Sequence, residues 1–254
     1  MNASKDKAAL GALYPHLAPR AATTGEAAQD ARDALRLEAA LREAMVAKWR
    51  DSVAVKTRFF EAHGNDVLRA AQLLAEGFRH GGRLYTMGNG GSSCDAAHVA
   101  VEFLHPITAG RPALTAVNLT TDVAMMTAVG NDVGYDHVFV RQVIAQGRPG
   151  DCLVGLSTSG NSMNLVLAFE KARALGLRTI GLTGGDGGRM AKLGLDHCLV
   201  VRTDAIHRIQ ECHVAIYHIL WDLVHTLLAD DRGSAARADD RGFATQPSRG
   251  EARP

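Results

Sequence analysis

Short apolar runs alternate with helical patterns through the middle of this chain. Five such runs recur, and each is followed by residues of helical periodicity or by a cluster of Gly, Ser or Asp: RLYTM (83–87), ALTAVNL (113–119), DCLVGLS (151–157), RTIGLT (178–183) and HCLVV (197–201). Strands that alternate with helices build βαβ units, whose parallel sheet is covered on both faces. The pattern therefore predicts an α/β fold with a doubly wound, five-stranded parallel sheet in a three-layer sandwich.

Helical periodicity is strongest on either side of these strands. Apolar residues between Asn65 and His80 recur at helical spacing on one face, and Gly81-Gly82 follows as a C-cap. We expect two or three helices before the first strand and one long helix after the last. That last helix, 205–228, is apolar nearly all round, which indicates burial on more than one side. We therefore expect its second surface to meet another subunit in a homo-oligomer.

The two ends of the chain differ from the middle. Residues 1–34 mix Ala, Gly, Pro and Thr without sustained periodicity, and we expect a flexible extension with some helix. Residues 230–254 alternate charges with Gly, Ser and Pro. This tail cannot bury enough apolar surface to offset its ordering entropy, so we expect it to be disordered. The predicted folded domain is therefore 35–229.

Composition and charge exclude several functional classes. Lys and Arg number 28 against 27 Asp and Glu, a formal net charge of +1 that argues against nucleic-acid binding through a broad basic surface. No apolar run approaches the ~20 residues that a membrane helix needs, and the polar start is not followed by the apolar segment of a signal peptide. The four cysteines have no CxxC spacing, which argues against a structural zinc site built from cysteines and against a disulfide framework. We expect a cytoplasmic protein without a membrane or nucleic-acid partner.

A Gly-rich loop follows the first predicted strand. Asn89, Gly90 and Gly91 form a turn at the start of a helix, whose free N–H groups suit an anion. The loop lacks the full G-x-G-x-x-G pattern, and Asn118 rather than an acidic residue ends the next strand. A nucleotide cofactor is therefore disfavoured.

A second loop, after the third predicted strand, is rich in hydroxyl groups. Ser157, Thr158, Ser159 and Ser162 fall within six residues at a strand-to-helix junction. Hydroxyls and free N–H groups can hold a phosphate without Lys or Arg. The alternative is an N-cap in a polar turn, which needs one hydroxyl and not four.

Five longer segments together resemble the phosphoheptose isomerases of the sugar isomerase (SIS) domain family. They are GNGGSSCDAAHVAVEF (88–103), TAVGNDVGYDHVF (127–139), GRPGDCLVGLSTSGNSMN (147–164), GLTGGDGGRM (181–190) and RIQECHVAIYHIL (208–220). The resemblance covers about residues 40–228 and implies a flavodoxin-like SIS fold. It also implies an intramolecular oxidoreductase of heptose biosynthesis, which converts sedoheptulose 7-phosphate to D-glycero-D-manno-heptose 7-phosphate through an enediol.

The resemblance implies roles for the residues that match the family's motifs. Substrate contacts are implied for Asn89, Gly90, Gly91, Asn131, Asp132 and Gln210, and phosphate contacts for Ser157, Thr158, Ser159 and Ser162. A zinc ion is implied at His98, Glu102, Gln210 and His218, one per active site. Glu102 and His218 also match the family's acid/base pair.

The spacing of these residues supports part of that assignment. His98 and Glu102 are i and i+4 on one helix face, which suits zinc or proton transfer, although such a pair is more often a solvated helix pair. Gln210 and His218 lie ~12 Å apart along a helix, too far to meet on one ion. Either that helix is broken between them, or the two residues come from different subunits. We favour the second alternative, which places the active sites between chains.

Some positions depart from the family pattern. After Glu102 the chain reads FLHPITAGRPALT, where relatives usually carry a Gly-Arg or Arg-rich stretch, and only Arg111 is nearby. His207 stands where a small or acidic residue is common.

One alternative function is a non-catalytic SIS protein that binds a sugar phosphate or a partner protein, as do relatives that assist replication initiation. Another is an isomerase of a different phosphosugar. Retention of the proton-transfer groups favours an enzyme.

Overall fold

The structure is a computed structural model that describes residues 24–235. Residues 1–23 and 236–254, most of the predicted extension and tail, lie outside the described residues. The α-helices are α1 (Thr24–Arg79), α2 (Gly91–Leu104), α3 (Val123–Asp132), α4 (Val140–Gln146), α5 (Met163–Ala174) and α6 (Ile206–Ala235). The strands are β1 (Leu84–Gly88), β2 (Ala116–Asn118), β3 (Cys152–Ser157), β4 (Arg178–Gly184) and β5 (His197–Val201). Two 3-10 turns lie at Tyr135–His137 and Met190–Lys192.

The five strands form one parallel sheet, as predicted. Their order is β2-β1-β3-β4-β5, the doubly wound order of flavodoxin-like folds. In the register, Gly88 pairs with Leu156, and Ser157 with Thr183. The carboxyl ends of β1, β3 and β4 therefore meet at one edge, where such sheets bind ligands.

Helices cover both faces of the sheet. On one face, buried side chains of α2, α6 and the second half of α1 pack against strand residues such as Val154 and Leu182. On the other face, α3, α4 and α5 pack against Tyr85, Met87 and Leu153. This arrangement confirms the predicted three-layer sandwich.

Within the described residues, one helix, α1, precedes the first strand where two or three were expected. It runs through Gly64, which costs a helix about 1 kcal/mol relative to Ala but does not break it. Phe59 and Val67, on either side of Gly64, are both buried in the same core, so packing holds the helix continuous. The predicted C-cap at Gly81-Gly82 is confirmed: Gly81 has a φ of +73°, and the N–H groups of both glycines donate to carbonyls of the last turn.

The described part of the chain divides into two units, with the boundary between residues 50 and 51. In the first unit, α1 exposes a series of large apolar side chains. They recur every four residues and are Leu37, Leu41, Met45 and Trp49. A stripe of this kind on one helix face is typical of an interaction surface.

The helix α6 is long and apolar. Within the described residues, the stretch Ile206–Ala229 is long enough and apolar enough to cross a membrane, judged by length and composition alone. The core helix of a globular protein passes the same test, and here Ile216, Leu220 and Val224 are buried against the sheet side of the domain. We therefore interpret α6 as a core helix.

Candidate active site

The turn after β1 is held by a side-chain amide pair. Asn89 and Asn164 exchange two hydrogen bonds of 2.9 Å, each Nδ2 donating to the other Oδ1. The Tyr135 hydroxyl also donates to Asn89 Oδ1 over 3.1 Å. Gly90 follows at a φ of +54°, which favours glycine, and α2 begins at the next residue. These contacts fix the turn to α5 and to the segment after α3.

The loop after β3 presents its hydroxyl groups together. Ser162 stands at the N-cap of α5 but makes no capping hydrogen bond with its side chain. Its Oγ instead lies 3.2 Å from the Oγ of Ser157. The simple N-cap interpretation therefore does not describe Ser162. Gly160 has a φ of +64°, and a Cβ there would lie 2.1 Å from the carbonyl oxygen of Gly187, so this loop rests directly on the loop after β4.

A cavity of about 360 Å³ opens beside the hydroxyl-rich loop. It is lined by Thr158, Ser159, Gly184, Gly185, Asp186, Thr203, Asp204, Ile206 and Ile209. The sequence analysis did not assign Asp186, Thr203 or Asp204. These residues lie just after β4 and β5, at the edge where parallel sheets bind ligands. That position could have identified them from the sequence.

Two histidines and one glutamate form a cluster between α2 and α6. One candidate ligand atom from each of His98, Glu102 and His218 lies within 4.8 Å of the others. His98 Nε2 lies 3.1 Å from Glu102 Oε1, and the rings of His98 and His218 have centroids 4.9 Å apart. All three side chains are partly buried. The cluster therefore brings together three of the four predicted zinc ligands, including both members of the predicted acid/base pair.

Two aromatic residues of α6, one helical turn apart, contact the α2 side of this cluster. The Tyr217 hydroxyl lies 2.8 Å from His98 Nδ1, and Trp221 Nε1 donates to the backbone carbonyl of Glu102 over 2.7 Å. Burial raises the pKa of the Tyr217 hydroxyl, and the nearby carboxylates of Asp95 and Glu102 raise it further. Burial also raises the pKa of Asp95. The hydroxyl of Tyr217 therefore stays protonated at neutral pH.

The fourth predicted ligand, Gln210, lies elsewhere in the same chain. Helix α6 is continuous between Gln210 and His218, which excludes the broken-helix alternative. Gln210 lies against the turn after β1, where a Cβ added to Gly91 would come within 2.3 Å of its Nε2. One chain therefore does not bring Gln210 to the cluster.

Asn131 and Asp132 end α3, and both are exposed. Asn131 Nδ2 donates to Asp132 Oδ1 over 2.9 Å, so the two side chains contact each other. Tyr135, three residues further on, connects this segment to the turn at Asn89. The sequence analysis did not assign Tyr135, although it lies within the matched segment 127–139.

Comparison with known proteins agrees with this geometry. A family model described as SIS domain matches residues 48–184. The chain belongs to the SIS domain family. It is 46% identical over 159 residues to a phosphoheptose isomerase of Akkermansia muciniphila, covering 63% of this chain and 84% of the relative. It is 44% identical over 202 residues to that of Chlorobium phaeobacteroides, covering 77% and 89%.

Solved structures give the same result. A phosphoheptose isomerase from Neisseria gonorrhoeae matches with a TM-score of 0.69 at 39% identity, covering 73% of this chain and 99% of that one. One from Francisella tularensis matches with a TM-score of 0.70 at 35% identity, covering 72% and 97%. The predicted resemblance is confirmed, and this SIS domain is of the phosphoheptose isomerase type.

A charged network fixes the first turn of α6 in this SIS domain. Glu211 accepts a 2.5 Å hydrogen bond from Ser52, and Arg208 pairs with both Glu211 and Asp51. Although burial opposes it, the hydrogen bonds from Ser52 and Arg208 lower the pKa of Glu211. The network holds the helical turn that carries Gln210, whereas the neighbouring His207 is exposed.

Arg111 is engaged by α6. Its guanidinium lies 4.3 Å from the ring centroid of Trp221, and its Nη2 lies 2.5 Å from Asp222 Oδ1. Arg111, the arginine that follows Glu102 in this sequence, therefore packs on the Trp221 ring. The same ring donates a hydrogen bond to the carbonyl of Glu102 near the end of α2.

Proposed function

We propose that this protein is a phosphosugar aldose–ketose isomerase that converts sedoheptulose 7-phosphate to D-glycero-D-manno-heptose 7-phosphate. The cluster of His98, Glu102 and His218 carries this proposal, because a protein that only binds a sugar phosphate has no need of grouped proton-transfer side chains. Membership of the phosphoheptose isomerase type supports the same reaction.

The phosphate of the substrate is assigned to the loop after β3. Ser157, Thr158, Ser159 and Ser162 supply hydroxyl groups, and the start of α5 supplies N–H groups and the positive end of a helix dipole. This cradle is neutral, which suits a chain whose formal net charge is only +1. The turn Asn89-Gly90-Gly91 lies beside it, because β1 and β3 are neighbours in the sheet.

Proton transfer is assigned to two members of the cluster. The carboxylate of Glu102 takes a proton from C1 of the ketose, and its carboxyl group then delivers a proton, after exchange with solvent, to C2. The resulting enediol needs a proton to leave the C1 hydroxyl and another to reach the C2 oxygen, and we assign this transfer to His218. Asp132 and Gln210 are proposed to orient sugar hydroxyls.

A zinc ion suits the same cluster. Imidazole nitrogen and carboxylate oxygen are ligands that zinc prefers, and three such groups lie within reach of one ion. We propose that His98, Glu102 and His218 hold it, one ion per site. When bound, zinc would act as a Lewis acid on the oxygens of the substrate.

We propose that the protein is a homotetramer whose active sites lie between subunits. Helix α6 is continuous, so Gln210 and His218 of one chain cannot serve the same ion, and a second subunit would have to supply Gln210. The exposed apolar stripe of α1 supports self-association.

A cytoplasmic location is proposed on the cysteines. All four are free, at Cys94, Cys152, Cys198 and Cys212, as expected in a reducing compartment. Burial raises the pKa of the Cys152 thiol to about 12, so this cysteine is an inert core residue.

The reaction is tested by incubating the zinc-supplemented protein with sedoheptulose 7-phosphate and following the sugar by NMR. Appearance of aldose signals is the expected result. A protein that only binds sugar phosphates would broaden the ketose signals without conversion, and this outcome would overturn the proposal. Sedoheptulose without its phosphate is the matched control, and we expect at least a tenfold lower kcat/KM for it, because the loop after β3 loses its ligand.

A further inference from the structure

Tyr217 contacts two members of the candidate metal cluster without being one of its predicted ligands. It precedes His218 on α6 and is only 3% exposed. Its ring centroid lies 5.3 Å from that of His98 and 4.8 Å from that of His218. One turn of α6 therefore supplies His218, which is one candidate ligand, and contacts His98, which is another.

The two ring nitrogens of His98 face different partners. Nε2 lies 3.1 Å from the Glu102 carboxylate, and Nδ1 lies 2.8 Å from the Tyr217 hydroxyl. A neutral imidazole has one N–H donor and one acceptor nitrogen, and the partner of each decides which tautomer is favoured. Tyr217 is therefore placed to influence which nitrogen of His98 carries the proton.

A hydroxyl suits both tautomers of His98. Without a metal ion, Nε2–H donates to the Glu102 carboxylate, and Nδ1 accepts a hydrogen bond from Tyr217. When Nε2 instead gives its lone pair to a metal ion, the proton lies on Nδ1, and the Tyr217 oxygen accepts it. A carboxylate or a carbonyl could only accept, and would favour the second tautomer alone.

We infer that Tyr217 is a positioning residue that orients the His98 ring and keeps a hydrogen bond to Nδ1 in both the metal-free and the metal-bound state. The inference rests on the proposed metal site, because its consequence is the affinity of that site. Histidine ligands generally need such a partner on the second ring nitrogen, and its removal typically costs 10- to 100-fold in metal affinity.

Tyr217→Phe tests this role, because phenylalanine keeps the ring and its packing and removes only the hydroxyl. We expect the zinc dissociation constant of the full chain, measured by competition with a chromogenic chelator, to rise about 10- to 100-fold. Tyr85→Phe is the matched control: Tyr85 is equally buried, and its hydroxyl donates to the carbonyl of Gln146 over 3.0 Å. We expect its zinc affinity to stay within about twofold of the wild type, since Tyr85 packs in the other core, away from His98.

Histidine ¹⁵N NMR gives a second readout that is independent of turnover. In the wild type, we expect His98 Nδ1 to be unprotonated without zinc and protonated with zinc.

Equal zinc affinity of wild type and Tyr217→Phe would overturn the inference about Tyr217 alone. A wild-type protein that binds no zinc would overturn the proposed metal site and this inference with it. The isomerase assay tests the proposed reaction separately, because it follows conversion of the sugar and not the affinity for zinc.

Discussion

At the scale of single residues, the role of Glu102 depends on what surrounds it. Its carboxylate lies beside His98, and its backbone carbonyl is held by Trp221. Neither contact can be read from the spacing of His98 and Glu102, since an i, i+4 pair is more often a solvated pair on a helix surface. From the sequence, Glu102 could be selected only by its place in a family motif. The structure adds that His218 lies in the same cluster, so a carboxylate and a second imidazole are close enough to act together in proton transfer.

Glu102→Gln tests the assignment of the base. Glutamine keeps the size of the side chain but cannot accept the C1 proton, so we expect kcat to fall by about 10²- to 10⁴-fold. Binding of sedoheptulose 7-phosphate, measured by calorimetry, should change little, because the phosphate loop is untouched. Unchanged kcat would show that another group removes the proton.

His213 makes the stability of the domain depend on pH. Complete burial lowers the pKa of His213 to about 4, although a hydrogen bond with the Thr183 carbonyl opposes the shift. In the unfolded chain the same group has a pKa near ~6.5. Between these values the unfolded state binds more protons, so stability is fully present above ~6.5 and is lost as the pH falls toward 4.

We expect this histidine alone to cost about 2 kcal/mol of unfolding free energy between about pH 7.5 and about pH 5. Urea denaturation of the wild type and of His213→Gln at both pH values measures it, since glutamine can still donate to the Thr183 carbonyl but does not titrate. If both proteins lose the same stability, the assigned pKa of His213 is wrong.

At the scale of elements, the strands were predictable and the helices less so. Strands β1 and β3 are buried along their whole length, and that burial shows in the sequence as short, largely apolar runs. The run 113–119 predicted a longer strand than β2, which is an edge strand paired on one side only. The sequence predicted two or three helices before the first strand, whereas α1 runs on through Gly64, because core packing on either side outweighs the weak helix preference of glycine.

The site was predictable where strand ends and motifs carry it. The turn after β1 and the hydroxyl-rich loop after β3 were found from their composition. The position of Gln210 beside Gly91, and the contact of Tyr217 with His98, depend on how α2 and α6 pack together. No spacing within one segment contains that information.

The contact between the loops after β3 and β4 can be tested by a glycine substitution. Gly160→Ala places a side chain at a φ of +64° and against the carbonyl of Gly187, so the phosphate loop must move. We expect kcat/KM for the phosphosugar to fall at least tenfold, as measured in the isomerase assay.

Gly64→Ala is the matched control. This glycine is helical, and an added Cβ would meet nothing within 4 Å. Activity should be unchanged, and the unfolding free energy should rise by about 0.5–1 kcal/mol, because alanine is the better helix former. Full activity in Gly160→Ala would show that the contact between the two loops is not needed for substrate binding.

At the scale of the whole molecule, the proposed sites between subunits require self-association. The stripe on α1 is exposed in the single chain, with Leu41 at 61% and Trp49 at 64%. An exposed apolar stripe of this kind is typical of an interaction surface, which supports the proposed self-association. In the proposed tetramer, a second copy would supply the Gln210 that one chain does not bring to its own cluster.

Trp49→Glu tests this requirement by light scattering coupled to size-exclusion chromatography. We expect the wild type to elute as a tetramer and Trp49→Glu to dissociate to smaller species with reduced turnover. Arg36→Glu, at an exposed position on another face of the same helix, is the charge control and should keep the tetramer. A monomeric wild type with full activity would contradict sites shared between subunits.

The central claim is that this SIS domain isomerises a heptose phosphate by moving protons between C1 and C2. Conversion of sedoheptulose 7-phosphate in D₂O, followed by ¹H NMR, tests it most directly. Because the proton held by a carboxylate base exchanges with solvent, the account predicts D-glycero-D-manno-heptose 7-phosphate that carries deuterium at C2. Absence of any aldose, or an aldose that retains all of its hydrogen at C2, would contradict it.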